Sequence, residues 1–327
     1  MSGSQPTLRD VLRASPALFP LNMEPNGNTV QFVNLSEADY REASFLDNRM
    51  LKPSVRYANI PWAELSFAAQ NFPIQCDFIF HVSHAGSTLL SRLLGSHPSC
   101  FSLREPAILR MFGQGVFLDR LDLFLGLWSR TFHSSQRALI KATSFVSDIG
   151  LDLMTRVSDA RAILMYVPLE TFLSALLDGS MVDVASQAAA RLQRLQRRQF
   201  LKGLAVESLS PGESVAMSWL SEMTCLSEIA SQFPMRTLWI DFDRFLEQSE
   251  VMLRQSFRHL GLEVDSAAYL RENTMQRYAK KPEVNYDAAF RSKLLETSRQ
   301  KFHTEISRGL AWLEQDGVNE VRKQHTL

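Results

Sequence analysis

Residues 77–106, DFIFHVSHAGSTLLSRLLGSHPSCFSLREP, decide how this chain can fold. The run Asp77–Val82 is rich in aromatic and β-branched residues and predicts a buried strand. Small residues interrupt it at 83–86, and from Ser87 onward leucines recur with a helical period. A strand, a tight turn and a helix in this order direct several unpaired backbone N–H groups at one point. The stretch therefore predicts either an anion site, usually for phosphate, or an ordinary turn whose hydroxyl groups cap the helix.

The composition limits the classes to which the protein can belong. A chain of 327 residues allows two domains or one large α/β unit. Lys and Arg together number 35, as do Asp and Glu, so no global charge indicates nucleic acid or an anionic membrane as a partner. The three cysteines lack metal or redox spacing, which favours a reducing compartment. The N-terminus has no apolar signal region, and no apolar run approaches about 20 residues. We therefore expect a soluble, cytoplasmic protein.

Short apolar runs alternate with helical periods along the rest of the chain. Further strands are predicted at 100–103, 138–141, 162–167 and 237–240. This alternation predicts an α/β fold, with a parallel sheet of about five strands flanked by helices. We expect residues 1–75 to form a preface packed on the core, and residues 76–327 to form the α/β domain. Ligands of such sheets bind beyond the carboxyl ends of the strands, so HAGST, REP, KATS and YVP should face one crevice.

Three longer stretches have helical periods. The apolar stripes of 107–130 and 287–314 are assigned to the core. The stretch 184–201 carries arginines near one face: Arg191, Arg194, Arg197 and Arg198. We interpret this face as solvated or as a subunit contact, because exposed arginine helices are common. The alternative is a docking face for an anionic acceptor.

The kind of phosphate site can be narrowed from the loop residues. A kinase or ATPase needs GxxxxGKS/T, with a lysine on the β- and γ-phosphates and a hydroxyl group on Mg²⁺. Here the first glycine position is His81 and the lysine position is Ser87. The missing lysine argues against triphosphate chemistry, so a small-molecule kinase ranks last. His81 itself lies inside the predicted strand and is interpreted as a hydrogen-bonded structural residue.

The loop SHAGST at 83–88 resembles the 5′-phosphosulfate loop of sulfotransferases, commonly written P-K/R-S-G-S/T-T. Further matches follow in the order in which that family has them. They are YVP at 166–168 with Ser174 (resembling R-x-P…S), DFDRF at 241–245 before FRHLGL (resembling YEDL…FLGL), and the basic segment RYAKKPEVNYDAAFRSKL at 277–294. The resemblance covers about residues 76–315 and implies a divergent, bacterial-type member with a P-loop-like fold.

The resemblance implies a donor, 3′-phosphoadenosine 5′-phosphosulfate (PAPS), and a small-molecule hydroxyl acceptor that the sequence does not identify. No metal is expected, because the loop has no Mg²⁺-binding pattern beyond Thr88. The residues that it assigns to the donor are His84, Ala85, Gly86, Ser87 and Thr88 at the phosphosulfate, with Ser174, Lys280 and Lys281 at the 3′-phosphate. Two positions depart from the family pattern. His84 stands where the loop usually has a basic residue, and Tyr166 stands where an arginine usually binds the 3′-phosphate. Lys280 and Lys281 are candidates for the missing charge.

The catalytic candidates are Glu105, Lys141 and His84. The family places a lysine of the third strand near the sulfonate, which implies this role for Lys141, and His84 would contact the leaving phosphate. Thr143 occupies a place where a histidine base is common, so Glu105 in REP is the best base, because partial desolvation at a strand end can raise a carboxyl pKa. The alternative is that Glu105 forms a structural ion pair with Arg104 or Lys141. If Glu105 is not the base, His133 is the next candidate.

Three questions stay open from the sequence. Arg104 is also a weaker candidate for contact with donor or acceptor anions. A non-catalytic or repurposed nucleotide-binding protein of the same fold is the main functional alternative. The oligomeric state is likewise open, with a homodimer as one option.

Overall fold

The computed structural model describes residues 5–50, 57–178, 181–263, 277–278, 281–285, 288–315 and 318. In the first half of the chain the elements are α1 (Leu8–Ala14), β1 (Leu18–Met23), β2 (Thr29–Asn34), α2 (Glu37–Glu42), β3 (Tyr57–Pro61), α3 (Trp62–Ala69), β4 (Cys76–His81), α4 (Ser87–Gly95), β5 (Cys100–Arg104), α5 (Ala107–Gly113), α6 (Leu121–Trp128), β6 (Arg137–Lys141) and α7 (Gly150–Arg156). In the second half they are β7 (Ala162–Tyr166), α8 (Leu169–Leu177), α9 (Met181–Arg197), α10 (Pro211–Gln232), β8 (Thr237–Asp241), α11 (Phe242–Glu247), α12 (Ser249–His259), β9 (Arg277–Tyr278), β10 (Lys281–Asn285), α13 (Ala288–Lys301) and α14 (His303–Leu313).

A five-stranded parallel sheet has the order β5-β6-β4-β7-β8 and is flanked by helices. Strand β6 pairs in parallel with β5 on one side and with β4 on the other. Every residue of β4 and β5 is buried, which is why both strands read as short, mostly apolar runs without the alternation of a half-exposed strand. The predicted α/β class and the parallel sheet are confirmed.

The chain divides into two compact units. Unit 1 comprises residues 1–79, 88–162 and 256–264, and unit 2 comprises residues 80–87, 163–255 and 265–327. In unit 1, β1, β2 and β3 form an antiparallel sheet in that order. Of these three strands the sequence indicates only β2, through the run Thr29–Val33. Strand β1 was missed because Pro20 interrupts its pattern at a register shift, and β3 because most of its residues are exposed. The predicted boundary at residue 75 stays a prediction.

Two arginines, the buried Arg104 and the half-buried Arg130, hold parts of the first 45 residues within unit 1. Arg130 donates to the carbonyl oxygens of Leu12, Ser15 and Leu18 at 2.8–2.9 Å. Arg104 donates to the carbonyl oxygens of three residues, namely Tyr40, Arg41 and Ala43. Each guanidinium thus satisfies three backbone acceptors of this segment.

In unit 2, α9 packs against the 22-residue helix α10, which the sequence analysis did not identify. The interface contains charged groups. Arg191 Nε lies 2.9 Å and Arg194 Nη1 3.4 Å from Oε1 of Glu222, and all three side chains are at most 4% exposed. The interpretation of this face as solvated or as a subunit contact was therefore wrong for Arg191 and Arg194. A glutamate 31 residues further along the chain compensates their charge, and helical spacing alone does not reveal such a partner.

Two stretches predicted as single helices are each interrupted. Residues 107–130 form α5 and α6, separated by a turn in which Phe117 has a left-handed φ of 55°. Residues 287–314 contain α13 and α14, which are separated at Phe302. The apolar stripe of the second stretch is also incompletely buried, since Phe290, Leu294 and Leu310 are 36–42% exposed. In the described part of the chain, no helix is long and apolar enough to cross a membrane.

Candidate active site

The loop after β4 is shaped by two residues with left-handed backbone. His84 has φ 60° and Gly86 has φ 67°. A Cβ atom at Gly86 would lie 2.0–2.3 Å from ring atoms of Phe242, the first residue of α11, so the position has neither the backbone angle nor the space for a side chain. The amide of Val82 donates to the carbonyl of Met165 at 3.0 Å and fixes the loop's entry to strand β7. The small-residue turn that the sequence predicted is confirmed.

The residues of this loop differ in burial. Ala85 is fully buried and His84 is half-buried. Ser87 and Thr88 begin α4 and are 5% and 9% exposed. The first turn of a helix has N–H groups without intrahelical partners, and its dipole favours negative charge. The local geometry has the donors that an anion needs, and the assignment of these residues to a phosphosulfate stays a prediction.

Behind the loop, unit 2 contains a polar cluster that the sequence analysis missed. The Arg291 guanidinium lies 4.8 Å from the centre of the Phe242 ring, and its Nε donates to Asp243 at 3.0 Å. Thr171 also donates to the Asp243 carboxylate, at 2.9 Å. These contacts hold the ring that covers Gly86. Asp243 and Phe242 belong to the DFDRF motif, but a motif match does not show which partner each side chain contacts.

The residues predicted at the 3′-phosphate have varied surroundings. The Ser174 hydroxyl donates to the carbonyl of Glu170, one helical turn earlier, and the residue is 1% exposed. Tyr166 is half-buried, and its ring lies perpendicular to that of Trp239, 5.6 Å away. Burial and the nearby Asp241 carboxylate raise the Tyr166 pKa, so the phenol is neutral and can donate a hydrogen bond. Lys280 and the side chain of Lys281 lie outside the described residues.

The structure brings Glu105 and Lys141 together in unit 1. The Lys141 ammonium donates to Oε1 of Glu105, and the Glu105 amide donates to the Lys141 carbonyl at 2.8 Å. The Glu105 side chain is 10% exposed, and the Lys141 side chain is 1% exposed. Burial lowers the Lys141 pKa, while the Glu105 carboxylate opposes this shift. Glu105 also has a left-handed φ of 52°, an unfavourable backbone conformation for a residue with a side chain.

Both residues lie at the carboxyl ends of their strands. Lys141 ends β6 and stands in register with Ile79 of β4, which continues into the loop after His81. Glu105 directly follows β5, whose last residue, Arg104, pairs with Lys141. Two strand ends that REP and KATS predicted to be functional are thus neighbours. Of the two structural ion pairs that the sequence left open, the structure shows the one with Lys141.

The remaining candidates make other contacts. The Arg104 guanidinium donates to backbone carbonyl oxygens, and burial lowers the pKa of Arg104 to about 9. The His133 side chain is 63% exposed and lies 3.5 Å from Glu37. His81 Nδ1 lies 2.8 Å from the Val82 carbonyl oxygen within the buried strand end, which agrees with its structural interpretation. Among the residues that the structure describes, no group of three or more His, Cys, Asp or Glu side chains could hold a metal ion.

Two further residues extend this charged cluster, and the sequence analysis did not select them: Arg110 contacts Glu105, and Asp47 contacts Arg110. Arg110 Nη2 lies 3.4 Å from Oε2 of Glu105 and 3.2 Å from Oδ2 of Asp47. Arg110 lies on the helix that begins two residues after Glu105, so its proximity was a usable signal. Asp47 comes from the stretch SFLDNRM at 44–50, more than 50 residues away in sequence. No short-range pattern connects these two segments.

No protein-family model and no curated protein sequence matches the chain. Solved structures do resemble it. The sulfotransferase domain from the curacin biosynthetic pathway is 14% identical, with a TM-score of 0.46 over 78% of this chain and 98% of that domain. The sulfotransferase domain from the Synechococcus PCC 7002 olefin synthase is 13% identical, with a TM-score of 0.44 over 79% of this chain and 97% of that one. A sulfotransferase from Alicyclobacillus acidocaldarius is 15% identical, with a TM-score of 0.37 over 76% and 99%. These three carry the name of the family that the motifs resemble, and their likeness to this chain is remote.

Proposed function

We propose that this protein is a sulfotransferase that moves the sulfonate of PAPS to a hydroxyl group of a small-molecule acceptor. The observation that carries the proposal is the buried Glu105–Lys141 pair at the carboxyl ends of β5 and β6. Strand β6 pairs with β4, and β4 leads into the loop with Ser87 and Thr88. In parallel sheets this end of the strands is where ligands bind.

The proposed chemistry assigns one task to each group. The acceptor oxygen attacks sulfur in line, while the bond from sulfur to the 5′-phosphate oxygen breaks. That electron pair leaves with adenosine 3′,5′-bisphosphate, and the acceptor proton goes to the Glu105 carboxylate. The loop N–H groups, the Ser87 and Thr88 hydroxyls and the His84 imidazole donate hydrogen bonds to the phosphosulfate, where charge develops. Lys141 keeps the base ionised and adds positive charge at the strand ends.

The loop supports a phosphosulfate donor over a nucleoside triphosphate. Ser87 occupies the place of the lysine that contacts the β- and γ-phosphates in kinases and ATPases. Ser87 and Thr88 offer hydroxyl donors in this turn, and neither side chain carries a positive charge. A donor with fewer negative charges at the loop suits this residue set better.

The test compares nucleotides by thermal shift and calorimetry. Adenosine 3′,5′-bisphosphate at 100-fold its Kd should stabilise the protein by about 2.7 kcal/mol, whereas ATP with Mg²⁺ should not. In the double variant Ser87→Ala with Thr88→Ala, affinity for the bisphosphate should fall, with each lost hydrogen bond to a charged group contributing about 1.5–3 kcal/mol. Ser96→Ala, whose hydroxyl donates to the Leu93 carbonyl in α4, is the matched control. Unchanged affinity in the double variant would remove the loop from the site.

A second candidate function is a nucleotide-binding protein without transfer activity. It is favoured by the engagement of the Glu105 carboxylate, since Oε1 contacts Lys141 and Oε2 lies 3.4 Å from Arg110. Such a protein would bind the bisphosphate through the same loop and would release none from PAPS. Nucleotide binding together with a measurement of turnover therefore separates the two functions.

A further inference from the structure

We propose that Asp47 and Arg110 are positioning residues for the Glu105 carboxylate, with Asp47 holding the Arg110 guanidinium beside Oε2 without letting it close on that oxygen. The catalytic meaning of this arrangement rests on the proposed function. The arrangement itself lies entirely within unit 1. It gives a role to the stretch SFLDNRM, for which no motif accounts.

The backbone of this stretch flanks Glu105. The Leu46 amide donates to the Arg104 carbonyl at 2.7 Å, and the Ala107 amide donates to the Leu46 carbonyl at 3.2 Å. On the other side the Glu105 amide donates to the Lys141 carbonyl. Residues on both sides of Glu105 are therefore fixed, and this bonding compensates for its left-handed φ. The stretch thus places Asp47, the residue after Leu46, close to the base.

The side chains form a connected set of charges. Nη2 of Arg110 is shared between Asp47 Oδ2 at 3.2 Å and Glu105 Oε2 at 3.4 Å. Arg49 Nε donates to both Asp47 oxygens at 2.9 and 3.0 Å, and the Arg49 guanidinium lies 3.7 Å from the centre of the Phe45 ring. Burial alone would raise the Asp47 pKa, but Arg49 and Arg110 together hold it below its ordinary value. Asp47 is therefore ionised at neutral pH and attracts Arg110.

This sharing has a consequence for proton transfer. Lys141 donates to Oε1 of Glu105, and in this proposal the acceptor proton goes to Oε2, the oxygen that Arg110 faces at 3.4 Å. Charged groups near the Glu105–Lys141 pair include Arg110 from α5, which faces Glu105 and is opposed by Asp47, and Arg104 from β5, whose positive charge acts with that of Arg110 on Lys141. If Asp47 is neutralised, Arg110 has one carboxylate left and should close on Oε2. If Arg110 is removed, Oε2 loses its cation and Asp47 loses a partner.

The two changes should move the Glu105 carboxyl pKa in opposite directions. Removing the carboxylate by Asp47→Asn should lower it, because a negative charge is lost and Arg110 moves closer. Removing the guanidinium by Arg110→Gln should raise it by about one unit, the lower range for loss of an opposite charge at this distance. A residue that serves only packing would shift the pKa in one direction or not at all.

The experiment is a carboxyl ¹³C NMR titration of protein labelled at glutamate side chains, with Glu105→Gln identifying the resonance. The matched control is Arg41→Gln, which removes a guanidinium that pairs with Glu37 on the surface of the same unit. We expect a lower midpoint for Asp47→Asn, a higher one for Arg110→Gln, and no change for Arg41→Gln. Arg110→Lys should return the midpoint toward the wild-type value, because it restores the charge. A midpoint that moves in the same direction in both variants, or in neither, would overturn the proposal.

Turnover provides the second readout and separates this proposal from the proposed function. Bisphosphate release from PAPS should lose about tenfold in kcat in Asp47→Asn with donor affinity unchanged, and its acidic pH limb should follow the NMR midpoint. If the wild type neither binds the bisphosphate nor releases it while the NMR shifts appear as expected, the proposed function fails and the arrangement around Glu105 stands. If Asp47→Asn does not fold, the comparison of Arg110→Gln with Arg110→Lys decides alone, and equal midpoints in those two variants would refute the proposal.

Discussion

The replacement Glu105→Gln tests the buried ion pair by leaving the Lys141 ammonium without its counter-charge. Lys141 is 1% exposed, and Glu105 is the carboxylate that opposes the lowering of its pKa by burial. Removing one partner of a buried pair costs about 3–5 kcal/mol, because an uncompensated charge remains. We therefore expect a loss of about this size in the free energy of unfolding at pH 7, measured by urea titration with an unchanged slope.

The pH dependence of the same variant has a definite sign. In Glu105→Gln the Lys141 pKa in the folded state should fall further below its unfolded value near 10.4. Between those two pKa values the unfolded state binds more protons, so stability should rise with pH across this window. The wild type should show a weaker rise, because Glu105 partly restores the Lys141 pKa. Urea midpoints at pH 7, 8 and 9 measure the difference.

The double variant Glu105→Gln with Lys141→Met provides the control. Replacing a buried pair by residues of similar volume is often neutral or stabilising, so most of the lost stability should return. A single variant as stable as the wild type, or a double variant no more stable than the single one, would refute a buried, charged pair. Because of this effect, turnover of Glu105→Gln must be measured at a temperature where its fold is intact. There we expect donor affinity to persist and the rate to fall by about 10²–10⁴.

Further outcomes concern the loop and the buried arginines. Gly86→Ala should abolish bisphosphate binding and lower the unfolding midpoint, because its Cβ would lie 2.0 Å from the Phe242 ring, whereas Gly115→Ala, which has a positive φ but nothing within 4 Å, should keep binding. Equal behaviour of the two glycine variants in calorimetry would contradict the packing at the loop. Glu222→Gln should cost about 3–5 kcal/mol in urea unfolding, since two buried arginines lose their shared carboxylate. Glu228→Gln, in a pair that is about one-fifth exposed, should cost about 1 kcal/mol or less, and a smaller loss at Glu222 than at Glu228 would contradict the burial.

The sequence was sufficient for elements whose signal is local. Strand β4, the turn at 83–86 and helix α4 follow from residue types within 20 positions, and the structure has all three. The rule that ligands bind at the carboxyl ends of parallel strands also predicted that REP and KATS lie close together, because apolar runs indicate where strands end. Here the sequence and the structure agree because neighbouring residues alone determine the outcome.

The rest depends on contacts between residues far apart in the chain. Arg191 and Arg194 are predicted as solvated until Glu222 on another helix is known to face them. Asp47 reaches the Glu105 surroundings through two backbone hydrogen bonds of Leu46, which no periodicity encodes. The Phe242 ring over Gly86 is a further case, since a glycine indicates a close approach without identifying the neighbour. Long-range pairing of this kind is visible only in the folded structure.

The most direct measurement of the central claim is the release of adenosine 3′,5′-bisphosphate from PAPS by the wild-type protein. It is followed by chromatography with and without a mixed pool of small hydroxyl compounds, and ³⁵S label in the donor reports the fate of the sulfonate. We predict release that the pool accelerates, label appearing in an organic product in equal amount, and loss of both in Ser87→Ala with Thr88→Ala. Binding of ATP with Mg²⁺ in place of the bisphosphate, with no release from PAPS, would contradict the account.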